Sequence, residues 1–220
     1  METPQNLVNY CYSTLREGII RGDFVPGEKL KIAKLKTYLN SGPTPIREAL
    51  SRLTATGLVV AEDNKGFRVK QVSEAEIRDL YATFNQIENL ALCQAIDLGG
   101  DSWEANIVAA LHKLALVENG QPPIEYNLWL QRNHEFHCAL ISGCNSPCLL
   151  KIREDLYQLF DRYCRLSFLL NQQFLTVNHK DHCEIAKAVI ARNKEKACQL
   201  MTAHLKNSLE LILKTMQTKG

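Results

Sequence analysis

Between residues 4 and 72 the chain reads as helix, helix, a tight break, helix and then a β-hairpin, and few small folds accept that order. Leu7, Cys11, Leu15 and Ile19 recur at helical spacing, and Gly22 stops the run. The turn Asp23-Phe24-Val25-Pro26-Gly27 leads to Leu30, after which Ile32, Leu35 and Leu39 predict a short second helix. Asn40-Ser41-Gly42-Pro43 breaks it. A third helix turns Ile46, Ala49, Leu50 and Leu53 inward and closes at Gly57. Either Pro43 or Pro45 can open that helix, because first-turn residues need no N–H partner. Leu58-Val59-Val60-Ala61-Glu62 and Phe67-Arg68-Val69-Lys70 then flank Asp63-Asn64-Lys65-Gly66, two strand-like runs around an Asn/Gly turn. The order is that of a winged helix-turn-helix.

From residue 73 onward the periodicity is helical throughout. Ser73-Glu74-Ala75-Glu76 is a capping box. It opens a long helix with Ile77, Leu80, Tyr81, Phe84, Ile87 and Ala91 on one face, ending at Gly99-Gly100. Asp101 is expected to cap the next helix, and Pro122-Pro123 to break the chain before a third. Further helical stretches cover roughly 126–142, 147–170, 177–192 and 194–216. The predicted fold class is therefore mainly α: an N-terminal winged helix-turn-helix over 4–72, plus a C-terminal all-α helical bundle of about six helices over 73–220.

Composition narrows the function classes. No apolar run approaches the roughly 20 residues that span a bilayer, and the N-terminus has no secretory pattern, so a soluble, cytoplasmic protein without a membrane partner is expected. Eight cysteines at 11, 93, 138, 144, 148, 164, 183 and 198 include no Cys-x-x-Cys pair. They read as small apolar core side chains, with Cys144 and Cys148 as the alternative redox pair. Residues 1–72 hold 11 Lys/Arg against 7 Asp/Glu, net +4, while the rest nets −2. A basic front half suits nucleic-acid contact.

A recognition helix puts its first turns into the major groove. Thr44 and Arg47 occupy that position, Arg47 for a bidentate contact to guanine. Ser51 and Arg52 are placed for phosphate, and Lys65 and Gly66 at the hairpin tip for the minor groove or a nearby phosphate. The alternative for Arg47 is a solvated ion pair with Glu48 or Glu28.

The second half carries a histidine constellation. Asn133 and His137, one helical turn apart, share a face flanked by Phe136, Leu140 and Ile141. His182 lies on the face of Ile185 and Val189, and His204 on that of Ala197, Leu200, Met201 and Leu211. Three inward imidazoles from three helices are what a divalent transition metal such as zinc or nickel accepts, with core histidines bonded to backbone carbonyls as the alternative. His134 and His179 fall off the inward faces and are expected at the surface; His112 has no assigned partner.

The segments Ile20-Arg21-Gly22-Asp23-Phe24-Val25-Pro26-Gly27-Glu28-Lys29-Leu30, Thr44 to Leu53 and Gly57-Leu58-Val59, with Gly66-Phe67-Arg68-Val69 as wing, resemble the GntR family of bacterial regulators. Around Arg47-Glu48-Ala49-Leu50-Ser51 the resemblance is nearest to carbon-starvation-type members. Residues 73–220 resemble the FCD helical effector domain of its FadR-type branch, whose Asp-x-x-x-His and two later histidines match Asn133, His137, His182 and His204; Ile185-Ala186-Lys187-Ala188-Val189 fits as well. The resemblance implies a homodimer on palindromic double-stranded DNA, a bound divalent metal (zinc, with nickel or manganese also accepted) and a small carboxylate effector.

Three departures stand out. Gly42-Pro43 replaces the family's Ser-Arg, Asn133 replaces its aspartate, and Phe84 stands where relatives carry an arginine four residues before Glu88. Arg162 or Arg165 is the candidate to meet a carboxylate instead, with a surface position as the alternative for each. Two other readings compete with an effector-controlled regulator. One is a DNA-binding dimer whose metal is structural or absent. The other is a three-histidine metalloenzyme, which lacks a placed general base because Glu135 and Glu184 face away from the ligands.

Overall fold

The structure, a computed structural model, describes residues 4–63, 65–120, 125–170 and 178–217. Asn64 of the hairpin turn and the Pro122-Pro123 break lie outside the described residues. The chain divides into two compact units, Met1–Glu76 with Gln158–Leu166, and Ile77–Tyr157 with Ser167–Gly220.

In the first unit, α1 (Pro4–Arg21) is followed by β1 (Lys29–Leu30), α2 (Ile32–Leu39) and α3 (Pro43–Ala55), then β2 (Val59–Glu62) and β3 (Gly66–Val69). Cys11, Leu15 and Ile19 from α1, Leu35 and Leu39 from α2, and Ile46, Ala49, Leu50 and Leu53 from α3 form one buried core. Each of the larger side chains contributes about 1.5–3 kcal/mol by leaving water. Asn40 ends α2 in the left-handed region (φ 45°), which asparagine tolerates, and its N–H caps the Lys36 carbonyl. β3 is central to an antiparallel sheet of order β1-β3-β2, with Lys29 opposite Arg68 and Val59 opposite Val69. The third strand, β1, was not legible in the sequence, because two residues carry no period. Arg68 fastens the wing, donating to the Gly27 carbonyl at 2.6 Å and to Glu62 at 3.0 Å.

The remaining helices are α4 (Glu74–Leu98), α5 (Asp101–Glu118), α6 (Tyr126–Ile141), α7 (Pro147–Leu170), α8 (Asn178–Ile190) and α9 (Lys194–Gln217), which build the second unit except for Glu74–Glu76 and Gln158–Leu166. The Ser73 hydroxyl accepts from the Glu76 N–H at 3.1 Å, as a capping box requires. One cap is corrected: Gly100, not Asp101, is the N-cap of α5, and Asp101 is its first residue. Its carboxylate still sits where a helix N-terminus favours negative charge. Trp103 stitches α5 to α6, donating to the Ala139 carbonyl at 2.9 Å. Arg192, between α8 and α9, donates to the Ile96 and Gly99 carbonyls and so satisfies the C-terminal end of α4.

Candidate metal centre and DNA-reading helix

α6 brings Asn133 and His137, α8 brings His182, and α9 brings His204 to one buried place. Ring centroids lie 5.7 Å apart for His137 and His182, 5.3 Å for His137 and His204, and 4.8 Å for His182 and His204. One nitrogen from each ring falls within 4.8 Å of the other two. The Asn133 Oδ1, one turn before His137, is buried without a hydrogen-bond partner, as are both ring nitrogens of His182 and the Nδ1 of His204. Core histidines normally satisfy their nitrogens on carbonyls; these do not. Orphaned donor atoms of this kind fit a cation.

Around the imidazoles stand three carboxylates. Glu118 Oε1 is 3.0 Å from His182 Nδ1, aligned too poorly for a full hydrogen bond. Glu88 Oε1 is 3.8 Å from His137 Nδ1, and Asp181 Oδ2 is 3.7 Å from His204 Nδ1, Coulombic rather than hydrogen-bonding separations. Each ring thus turns its Nδ1 towards a carboxylate. Metal-binding histidines are commonly oriented by such partners. Burial pushes the Glu118 carboxyl up, but His182, His179 and the Trp129 N–H outweigh it and hold it below the usual range. Burial, reinforced by the neighbouring histidines, holds His137 well below the ordinary imidazole value. The same burial lowers His182 against the pull of Glu118. Neutral rings are the form that ligates.

Glu88 is also held by Arg153 of α7, which donates to it twice, at 2.6 and 3.2 Å, with both side chains buried. Burial opposes the guanidinium charge, yet Glu88 raises its pKa above the ordinary value. The same guanidinium lies over the rings of Phe84 at 5.4 Å and Tyr157 at 4.9 Å. Sequence reading missed Glu118, Asp181 and Arg153; a carboxylate at 88 in the inward stripe of Phe84 and Ala91 was the available signal. His134 is half-buried rather than on the surface, stacked on Tyr157, and His179 binds Glu118 at 2.9 Å. His134, Cys138 and Glu154 form a second group of ligand type, but Arg153 Nη1 lies 3.7 Å from both Cys138 Sγ and Glu154 Oε2, and its charge opposes a cation there. Arg162 is buried and donates to the Lys70 carbonyl within the first unit, and Arg165 pairs with Asp161 at 2.7 Å.

On α3, Gly42 is the N-cap and Pro43 the first residue, so Thr44 and Arg47 fall in its opening turns, both exposed. Arg47 makes no ion pair among the described residues; Glu48 is taken by Arg52 at 2.8 Å, and Glu28 accepts from the Val25 N–H. Arg52 also donates to Asn9 at 3.0 Å, so it is braced across to α1. Ser51, Lys65 and Gly66 are exposed, the last at φ 91° in the tight wing turn.

Residues 8–69 match the family described as bacterial regulatory proteins, gntR family, and residues 79–207, more than half of the chain, match the FCD domain. The chain belongs to the GntR family. Its sequence is 37% identical to the HTH-type transcriptional repressor GlaR of Escherichia coli K12, over 93% of this chain and 95% of that protein. It is 34% identical to the HTH-type transcriptional regulator BphR of Paraburkholderia xenovorans, over 94% of this chain and 86% of that one. Among solved structures, E. coli McbR/YncC superposes with a TM-score of 0.78 at 20% identity, covering 97% of this chain and 99% of that one. A GntR family member from Pseudomonas syringae superposes at 0.56 and 22% identity, covering all of this chain and 90% of that one. This GntR-family protein is thus a DNA-binding transcription regulator with a helical FCD domain, and not the metalloenzyme of the third reading. No described helix of it is long and apolar enough to cross a membrane.

Proposed function

We propose that this regulator controls its grip on a palindromic operator through a small carboxylate effector bound at a divalent metal, zinc before nickel or manganese, in the helical unit. The observation that carries the reading is the buried trio His137, His182 and His204, with orphaned nitrogens on His182 and His204 and a carboxylate beside each ring. When bound, such an ion supplies positive charge and an open coordination position for a carboxylate. With each Nδ1 facing an acid, the Nε2 atoms are left as ligands, and Asn133 Oδ1 adds a neutral oxygen donor. Glu118, Asp181 and Glu88 orient the rings, and Arg153 neutralises Glu88. An acid bound there would favour one arrangement of α6, α8 and α9, and so shift the population competent for DNA.

In the DNA-binding unit, Arg47 reads bases with Thr44 beside it. Ser51 and Arg52 face phosphate, and Lys65 and Gly66 bring the wing to the backbone. Members of this family work as dimers, and two α3 helices related by a two-fold would meet a palindrome. Elemental analysis of the purified, tag-free protein tests the metal reading, alongside His137→Ala, His182→Ala and His204→Ala. Near-stoichiometric metal lost in each variant is the expected result, followed by thermal shifts with small carboxylates. A wild-type protein that stays metal-free after reconstitution would remove the effector site and leave the DNA reading intact.

A further inference from the structure

Cys93 on α4 and Cys198 on α9 are 105 positions apart, yet their sulfurs are 3.2 Å from each other. Among the described residues it is the one thiol–thiol contact. Cys144, offered by the sequence as half of a redox pair, is buried and donates to Gln94, while Cys148 is exposed. Cys11 is buried, and Cys164 is pushed up by burial, beyond easy ionisation. Cys93 and Cys198 are both half-buried, within reach of a small oxidant, and both lie in the field of the Lys194 ammonium, itself held by Asp97 at 2.8 Å. A cation beside a thiol favours the thiolate, the reactive form.

We propose that Cys93 and Cys198 are a reversible dithiol switch that closes to a disulfide between α4 and α9 when a small-molecule disulfide such as oxidised glutathione is supplied. One sulfur of the pair, as thiolate, attacks one sulfur of the oxidant, whose S–S bond breaks and releases a glutathione thiolate. The other thiol then loses its proton and attacks the sulfur that carries the adduct, expelling the second glutathione thiolate and closing the Cys93–Cys198 bond. Two thiols are oxidised, one disulfide is reduced to two thiols, and the two protons go to the leaving thiolates. Burial and the neighbouring Cys93 thiol push the Cys198 thiol up, while the Lys194 ammonium pulls it down. α4 also carries Glu88 and α9 carries His204, so the bond would fix together two helices that contribute to the histidine centre. Neither thiol is a ligand there, so this inference stands apart from the metal reading.

The full-length protein, treated with oxidised glutathione and digested without reductant, gives the test. The expected products are a peptide pair joined through Cys93 and Cys198 and an intact chain lighter by two hydrogens. Melting should rise by about 5 °C or more, since the bond closes a long loop, and dithiothreitol should reverse it. Cys93→Ser and Cys198→Ser should each lose the crosslink and the rise. Accumulation of glutathione adducts without closure, or crosslinks joining other cysteines first, would overturn the proposal.

Discussion

In the proposed reading, Arg47 carries an unusual share of sequence discrimination because of what precedes it. Pro43 and Pro45 remove two of the N–H groups a helix start offers to phosphate, and Gly42-Pro43 removes a side-chain donor. On an operator selected with the wild-type protein, Arg47→Ala should weaken specific binding by about 1–3 kcal/mol with an unchanged melting temperature. Retained affinity in an anisotropy titration would reassign the reading residue. At the histidine centre, Glu118→Gln should lower metal affinity by about 10–100-fold, since the ring it orients would lose its anchor. Chelator competition measures this, and equal affinities would make Glu118 a bystander. The inward placement of His137, His182 and His204 was legible because a period of 3.6 assigns an inward face from sequence alone. Their carboxylate partners were not. Glu118 and Asp181 are two of 24 acidic residues, and only the packing of α5 against α8 and of α8 against α9 tells them apart from solvated ones.

Helix boundaries followed the sequence where a specific residue type is required. Gly57, at φ 75°, accepts the left-handed turn after α3, and Ser73 caps α4. They slipped where two residues could serve: Gly100 took the cap that Asp101 was expected to provide, because extended backbone there leaves the acid free for the first turn. Gly99 shows why the α4–α5 corner needs a residue without a side chain. A methyl there would sit 2.2 Å from the Trp103 ring and 2.7 Å from the Ala95 carbonyl. Gly99→Ala should cost about 1–3 kcal/mol by forcing the corner open. Thermal unfolding reads this directly, and a wild-type melting curve would show that the corner yields at no cost.

For the molecule as a whole, the fold class, a winged helix-turn-helix followed by a run of helices, was readable from the switch in pattern along the sequence. The allegiance of Gln158–Leu166 was not, because α7 keeps one helical period while its Leu159 and Arg162 pack with the first unit. Removing a metal held at about a hundred times its dissociation constant costs roughly 2.7 kcal/mol, or a melting decrease of roughly 5–10 °C for a chain of this size. A chelator should produce that decrease in wild-type protein and none in His182→Ala; an unresponsive wild type would count against the metal centre. Arg153 has one more consequence. The family resemblance looks for a guanidinium at position 84, and a comparison made column by column scores Phe84 as its loss. Here a guanidinium reaches Glu88 from another helix, and the phenylalanine has become the surface it rests on. Searches for proteins with the same chemistry will therefore miss members unless they ask what occupies the space beside that carboxylate, whatever stretch of chain supplies it.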